Sequence, residues 1–164
     1  MTSKDFIIRE IKPTDNKEVA KIIRSVILEM GAPKVGTAYE DKATDNMFET
    51  YQKEKSSYFV LEHNNTIVGS AGIAQLDNYD GNVCELQKMY FLPIARGKGL
   101  GSKLITICLE KAKELGFETC YLETLPYMKA AVKLYNKYGF KNLDKPMGNT
   151  CHYNCNVWMI KEIN

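Results

Sequence analysis

The sequence lacks the features that define several large classes of protein. Its apolar runs all fall well short of the ~20 residues that a helix needs to span a bilayer, so no membrane segment is expected. With 22 Lys and Arg against 20 Asp and Glu, the net charge of +2 shows none of the basic excess of general nucleic-acid-binding proteins. The opening residues carry no secretory signal pattern. These absences predict a cytoplasmic protein with no membrane or nucleic-acid partner.

The number of cysteines is odd, which excludes complete pairing within the chain. The five cysteines are Cys84, Cys108, Cys120, Cys151 and Cys155. They cannot all pair within the chain, and reduced thiols are expected. The first three lie in apolar-patterned segments, which is typical of small core side chains. The last two flank His152 and offer at most three ligands with it, so no metal is expected.

The length and the hydrophobic pattern predict one mixed α/β domain. A chain of 164 residues corresponds to about one domain at ~150 residues per domain. Strands are predicted over about 5–11, 58–62, 66–76, 83–92, 117–125 and 155–163. Helices are predicted over about 16–30, 43–54, 101–115 and 128–138. This order predicts a single domain, 1–164, in which an antiparallel meander meets a right-handed crossover between parallel strands, with helices on both faces.

A glycine-rich loop joins the strand that ends at Pro93 to the next helix. Its sequence is Arg96-Gly97-Lys98-Gly99-Leu100-Gly101-Ser102. A helix start leaves several N–H groups without partners, and the helix dipole places about half a positive charge there. The glycines let a ligand approach this backbone closely, and the two basic side chains add charge. The loop is therefore predicted to bind a phosphate or pyrophosphate.

Two common phosphate-binding patterns do not fit this loop. A phosphate-loop nucleotidase has Lys and then Ser or Thr after its last glycine, whereas here Ser102 precedes Lys103. The dinucleotide fingerprint requires a glycine where Ser102 stands, and its loop follows the first strand rather than the fourth. On the glycines alone, a plain strand–helix connection is the alternative.

A second motif lies in the last predicted helix. It has the sequence Ala131-Val-Lys-Leu-Tyr135-Asn-Lys-Tyr-Gly139-Phe140. Together with the glycine loop, in which residues 96–101 match the pattern Gln/Arg-x-x-Gly-x-Gly/Ala, this helix resembles the GNAT superfamily of acetyl-coenzyme A-dependent N-acetyltransferases. The element order agrees with the family order over nearly the whole chain. The resemblance implies a GNAT-like fold, with a central, mixed, mostly antiparallel sheet and a splayed pair of parallel strands.

The resemblance also implies how acetyl-coenzyme A is bound as co-substrate. Backbone N–H groups of the glycine loop would hold its pyrophosphate, and backbone near the end of the fourth strand would pair with the pantetheine arm. The implied cofactor-binding residues are Met89, Phe91, Arg96, Gly97, Lys98, Gly99, Leu100, Gly101 and Ser102. One position departs from the family pattern, because Met128 stands where many members have an asparagine that contacts the cofactor.

Acetyl transfer from a thioester requires a neutral amine, a polarised carbonyl and a protonated leaving sulfur. The resemblance assigns Tyr135 as the general acid, since a phenol donates a proton while uncharged. The alternative is that Tyr135 belongs only to the apolar helix face. The resemblance also makes Glu85 the candidate base, because some family members carry a catalytic glutamate at this position of the splayed strand, and burial at a strand junction would raise its pKa. A surface carboxylate and a water chain are the alternatives. A backbone N–H near Phe91 would polarise the carbonyl.

The predicted function is acetyl transfer to a primary amine of a small molecule, an amino acid or a peptide or protein, by direct attack in a ternary complex. A non-catalytic module that binds or senses acyl-coenzyme A is the alternative. The resemblance implies that acceptor specificity lies at about 26–45 and 144–156. There Glu40 and Asp41 suit a cationic amine, and His152 or Tyr153 would touch the acceptor. Since many relatives are dimers, a homodimer is expected.

Overall fold

The computed structural model describes residues 5–163, so the predicted span of 1–164 extends past the described part at both ends. The strands are β1 (Phe6–Glu10), β2 (Ser57–His63), β3 (Thr66–Gln75), β4 (Val83–Phe91), β5 (Thr119–Thr124), β6 (Lys141–Leu143) and β7 (Val157–Glu162). The α-helices are α1 (Asn16–Glu29), α2 (Met47–Thr50), α3 (Leu100–Glu114) and α4 (Lys129–Lys137), and 3-10 helices span Pro13–Asp15, Lys42–Asp45 and Pro93–Ala95. No helix in the described part is long and apolar enough to cross a membrane.

The strands form one seven-stranded sheet in the order β1-β2-β3-β4-β5-β7-β6. Neighbours are antiparallel except β4 and β5, which run parallel. These two strands are in register only from the Val83–Thr119 pair to the Glu85–Tyr121 pair. Both strands continue beyond that point without pairing to each other, so a gap opens between their carboxyl ends. The predicted mixed sheet with a splayed parallel pair is confirmed.

Helices cover both faces of the sheet, as predicted. On one face, α1 contributes Ile23 and Ile27, which recur at helical spacing, to a buried cluster. On the other face, Leu104 and Cys108 of α3 share a cluster with Tyr135 of α4. The candidate site residues of β4 therefore lie between two apolar layers.

A β-bulge in β4 changes which of its side chains face α1. The register between β3 and β4 shifts between Ser70 and Gly72, and Lys88 has a φ of 45°. The extra residue allows two successive side chains, those of Gln87 and Lys88, to contact the segment between α1 and β2. The Tyr58 hydroxyl donates to the Lys88 carbonyl oxygen at 2.8 Å and so supports the bulge.

Two elements differ from the sequence-based prediction. The helix predicted over 43–54 is a 3-10 helix followed by the single turn of α2, because the backbone breaks at Asn46 (φ −134°, ψ 47°). The Phe48 N–H donates to Asn16 Oδ1 of α1 at 2.8 Å, a tertiary contact that holds this turn. Strand β6 was not predicted, because three residues are too few to show an alternating pattern. Its pairing with β7 is what makes it a strand.

Candidate active site

A cleft of about 440 Å³ opens where β4 ends and α3 begins. Eight of the nine predicted cofactor-binding residues line it, namely Met89, Phe91, Arg96, Gly97, Gly99, Leu100, Gly101 and Ser102. The opposite walls come from Met30 at the end of α1 and from Ala131 and Leu134 of α4. The ninth residue, Lys98, lies outside this lining, and its Nζ donates to the Ile94 carbonyl oxygen at 2.8 Å.

The glycine loop presents backbone N–H groups to this cleft. Gly97 and Gly99 have φ values of 72° and 73°, a left-handed conformation that other residues disfavour. The Lys103 N–H donates to the Gly99 carbonyl oxygen at 3.2 Å. The N–H groups of residues 100–102 come before this first helical hydrogen bond and therefore have no partner within the helix. A Cβ at Gly97 or Gly99 would meet no atom within 4 Å. An open cradle of N–H groups at a helix start fits a pyrophosphate.

Arg96 connects the end of β4 to α1. Its Nε and Nη2 donate to the Phe91 carbonyl oxygen at 3.0 and 2.7 Å, and its Nη1 lies 2.5 Å from Glu29 Oε2. The charge of the guanidinium is thus shared with a carboxylate. Its contact with a phosphate stays a prediction, as does the binding of an anion by the backbone N–H groups of the loop.

Tyr135, the predicted general acid, projects from α4 into the cluster beneath α3. It is 6% exposed, and its ring meets Phe140 edge-on at a centroid distance of 5.9 Å. Burial raises the pKa of Tyr135 well above its ordinary value of 10.0, and nearby Cys120 and Cys108 add to this, so the phenol is protonated at neutral pH. Its hydroxyl makes no hydrogen bond within residues 5–163, and no buried side-chain oxygen there is left unpaired. The hydroxyl oxygen therefore keeps some exposure, although Tyr135 is not among the residues that line the cleft, whereas Ala131 and Leu134 of the same helix are.

Glu85, the predicted base, lies at the last registered position before β4 and β5 diverge. It is 5% exposed. Burial raises the pKa of Glu85 to about 7; the Gln87 hydrogen bond and the charges of His152 and Lys88 oppose this rise, and Glu123 adds to it. A carboxylate with a pKa near neutral pH is well matched to accept a proton from an amine.

The two candidate catalytic residues lie on opposite faces of the sheet. Cys84 and Leu86, which flank Glu85, join the cluster that contains Tyr135. Because side chains alternate along a strand, Glu85 points to the other face, toward α1. The acid and the base therefore flank the gap between β4 and β5 from its two sides.

Two further residues, Gln87 and Tyr51, form a chain of hydrogen bonds that ends on Glu85. Gln87 Nε2 donates to Glu85 Oε1 at 2.6 Å, and the Tyr51 hydroxyl donates to Gln87 Oε1. Sequence reasoning missed both. The two-residue spacing of Glu85 and Gln87 on a predicted strand was an available signal, since it places them on one face. Tyr51 carried no such signal because a tertiary contact brings it there.

A second cleft, of about 560 Å³, lies between the α1–β2 connection and the segment before β7. It is lined by Glu40, Glu123, Pro146, Gly148, Asn149, Thr150, Cys151, His152, Tyr153, Cys155 and Trp158. Burial and the nearby Cys155 raise the pKa of Tyr90, which lines the first cleft. The two clefts therefore approach each other near Cys155 and Tyr90, on the side of Glu85.

Asp41 ties together the segments around the second cleft. Its Oδ2 lies 3.0 Å from Lys88 Nζ and 2.7 Å from His152 Nε2. Burial opposes its ionisation, but these two contacts hold the pKa of Asp41 below its ordinary value of 3.8. Burial likewise opposes the charge of His152, but the hydrogen bond to Asp41 outweighs it and raises the pKa of His152. Asp41 is therefore engaged within the protein. Glu40 lines the cleft, and its Oε1 accepts a hydrogen bond from the Gly36 N–H at 2.7 Å.

All five cysteines are free thiols. Cys84, Cys108 and Cys120 are buried, as predicted, and Cys151 is exposed. Within residues 5–163, no group of three or more His, Cys, Asp or Glu side chains is arranged to hold a metal ion.

Comparison with known proteins agrees with this architecture. The chain matches the model of the acetyltransferase (GNAT) family over residues 26–140. It is 40% identical over 158 residues to YjgM of Escherichia coli, an uncharacterized N-acetyltransferase, covering 96% of this chain and 95% of that protein. A GNAT-family acetyltransferase from Staphylococcus aureus has a TM-score of 0.84 at 22% identity, covering 97% of this chain and 99% of that one. A putative acetyltransferase from Salmonella typhimurium, solved with acetyl-CoA, has a TM-score of 0.77 at 20% identity, covering 98% of this chain and 95% of that one.

The fold and the matches define an acyltransferase. The chain belongs to the GNAT family.

Proposed function

We propose that this protein transfers an acetyl group from acetyl-coenzyme A to a primary amine by direct attack while both substrates are bound. The observation that carries this proposal is the placement of Glu85 and Tyr135 on the two sides of the gap between β4 and β5. One side can receive the proton of the attacking amine, and the other can supply a proton to the departing sulfur.

The residues of the first cleft fit the coenzyme. The open N–H cradle of Gly97 to Ser102 would hold the pyrophosphate. The end of β4 near Phe91, which is not paired with β5, would lie along the pantetheine arm. When bound, acetyl-coenzyme A supplies an activated acyl group and a thiolate leaving group. Glu85 would take the proton of the amine, Tyr135 would protonate the sulfur, and a backbone N–H of β4 would polarise the carbonyl.

The acceptor amine would occupy the second cleft. Its lining includes the carboxylates of Glu40 and Glu123 and the indole of Trp158, and it includes no Lys or Arg among the described residues. The charge of Lys88 beside it is offset by Asp41. This environment favours a cationic amine over an acidic one. The acceptor class we propose covers amino acids, small amines and peptide or protein amines.

Release of free thiol from acetyl-coenzyme A, measured across amines, polyamines, amino acids, aminoglycosides and peptides, tests the proposed reaction. A thermal-shift titration accompanies it, because a ligand at 100 times its Kd stabilises a protein by ~2.7 kcal/mol. We expect stabilisation by acetyl-coenzyme A and none by NAD. Tight binding of the coenzyme with no thiol release for any amine would contradict catalysis and support the sensing module.

A Gly99→Ala substitution should weaken coenzyme binding. Gly99 has a φ of 73°, which costs an alanine about 1–2 kcal/mol, and the new methyl group would stand in the N–H cradle. We expect the Kd for acetyl-coenzyme A to rise about tenfold, as for a loss of ~1.4 kcal/mol, by titration calorimetry.

Gly116→Ala is the matched control for this substitution. Gly116 has a φ of 87°, follows the other end of α3 and also has no atom within 4 Å of its Cβ position. It should lose similar stability while keeping coenzyme affinity. Equal Kd values for the two variants would argue against the glycine loop as the pyrophosphate site.

A further inference from the structure

The hydrogen bonds behind Glu85 form a directed chain. The Tyr51 hydroxyl donates to Gln87 Oε1, and Gln87 Nε2 donates to Glu85 Oε1 at 2.6 Å. Tyr51 is buried, and its ring contacts that of Tyr58 at a centroid distance of 4.8 Å. If the Gln87 amide were reversed, its carbonyl oxygen would face the carboxylate, placing two acceptors against each other. The Glu85 carboxylate therefore selects the amide orientation that donates to it, and the Tyr51 hydroxyl holds the other end of the amide by donating to Oε1.

The chain leaves one carboxylate oxygen of Glu85 available. Within residues 5–163, the Glu85 carboxylate accepts one hydrogen bond, from Gln87, and it does so through Oε1. No buried side-chain oxygen in this part of the protein lacks a partner, so Oε2 reaches open space. One oxygen is thus anchored, while the other has no hydrogen-bond partner among residues 5–163.

We propose that Gln87 is a positioning residue for the base, with its amide held in turn by Tyr51, so that Glu85 is anchored through Oε1 and Oε2 is left to accept the proton of the acceptor amine. This inference rests on the proposed function, because it assigns Glu85 the role of base. Gln87 touches neither substrate and acts through Glu85.

The other groups that face Glu85 act through charge or burial rather than by direct bonds. Lys88 and His152, which is cationic when protonated, are both paired with Asp41. Glu123, across the gap on β5, adds a negative charge. Tyr121 of β5 and Cys155 near β7 are neutral neighbours. Gln87 is therefore the group whose removal acts on the carboxylate directly, by withdrawing a donor from its ionised form.

A Gln87→Met substitution tests the proposal through the pH dependence of kcat/KM. Both Glu85 and the acceptor amine must lose a proton, so the logarithmic slope against pH is two at low pH and falls to one above the pKa of Glu85. We expect Gln87→Met to move this break upward by about one to two pH units, as expected for loss of a hydrogen bond to a charged group. Tyr51→Phe keeps the ring but removes the hydrogen bond that holds the Gln87 amide, so the break should move upward by a smaller amount. The double variant of Gln87→Met and Tyr51→Phe should show the same break as Gln87→Met alone.

Gln75→Met is the control, because Gln75 lies on the neighbouring strand β3 and donates to the Gly81 carbonyl oxygen instead. Titration of the Glu85 carboxyl by infrared difference spectroscopy without acceptor gives a readout independent of turnover, and it should show the same upward shifts. An unmoved break and an unmoved carboxyl titration in folded Gln87→Met, or in Tyr51→Phe if the first variant folds poorly, would overturn the inference. If Glu85→Gln itself keeps the slope of two, the assigned base is wrong; if it loses that slope while Gln87→Met has no effect, the positioning role alone is wrong.

Discussion

A Tyr135→Phe variant should turn over about 10–10³-fold more slowly than the wild-type enzyme, toward the low end of the effects usual for general acid–base catalysis. Burial keeps the pKa of this phenol well above neutral pH, so the wild-type hydroxyl carries a proton throughout the working range. Its oxygen has no hydrogen-bond partner within the described residues, so the substitution breaks no contact in the folded protein. Phenylalanine keeps the packing against Phe140, and folding should be unaffected.

The measurement is a single-turnover rate at saturating coenzyme, with the Kd for acetyl-coenzyme A and the melting temperature determined alongside. Both should stay close to the wild-type values, which separates a chemical role from a packing role. Tyr79→Phe, in the exposed turn between β3 and β4, is the control and should turn over normally. A normal single-turnover rate in Tyr135→Phe would remove the assignment of this residue as the acid.

A Glu85→Gln variant should lose about 10²–10⁴-fold in kcat/KM near neutral pH, because general bases contribute on this scale. Wild-type activity should fall as the pH drops through about 7, where the carboxylate takes up a proton. In the variant that transition disappears, and the logarithmic slope should be one throughout, from the amine alone. Repeating the profile with an amine of different pKa identifies the remaining transition. A slope that stays at two in the variant would exclude Glu85 as the base.

The same substitution should change how stability depends on pH. Folding raises the pKa of Glu85 from 4.5 to about 7, so the folded state favours the protonated form. Wild-type stability should therefore decline as the pH rises through this interval, by about 3 kcal/mol at ~1.4 kcal/mol per pKa unit. Glutamine carries no such cost, so Glu85→Gln should gain melting temperature relative to wild type between about pH 5 and about pH 8. Parallel melting curves for the two proteins across this range would contradict a buried, ionisable Glu85.

The acetyltransferase family was predictable because its two motifs are local. The glycine loop needs left-handed backbone and bare N–H groups within a few residues, and Gly97 and Gly99 provide them. The helix motif needs Tyr135 at a fixed helical spacing from its apolar neighbours. Geometry of this kind is determined by residues close together in the sequence, and the same is true of the helical spacing of apolar residues in α1 and α3.

Features that depend on long-range contacts were not predictable. The bulge at Lys88 depends on the pairing of β4 with β3, and strand β6 depends on β7. Asp41 was singled out as a contact for the acceptor, but Lys88 and His152, both distant in sequence, engage it. In each case the determining partner belongs to another element of the chain.

Residue order alone established the fold class, the glycine loop and the identities of the candidate acid and base. Only the folded chain decided that Glu85 is buried, that Gln87 and Tyr51 stand behind it, and that the acid and base lie on opposite faces of the sheet. The physical reason is that the propensity and periodicity of a segment act within a few residues. Burial, pKa and the direction of a hydrogen bond arise between segments that only folding brings together.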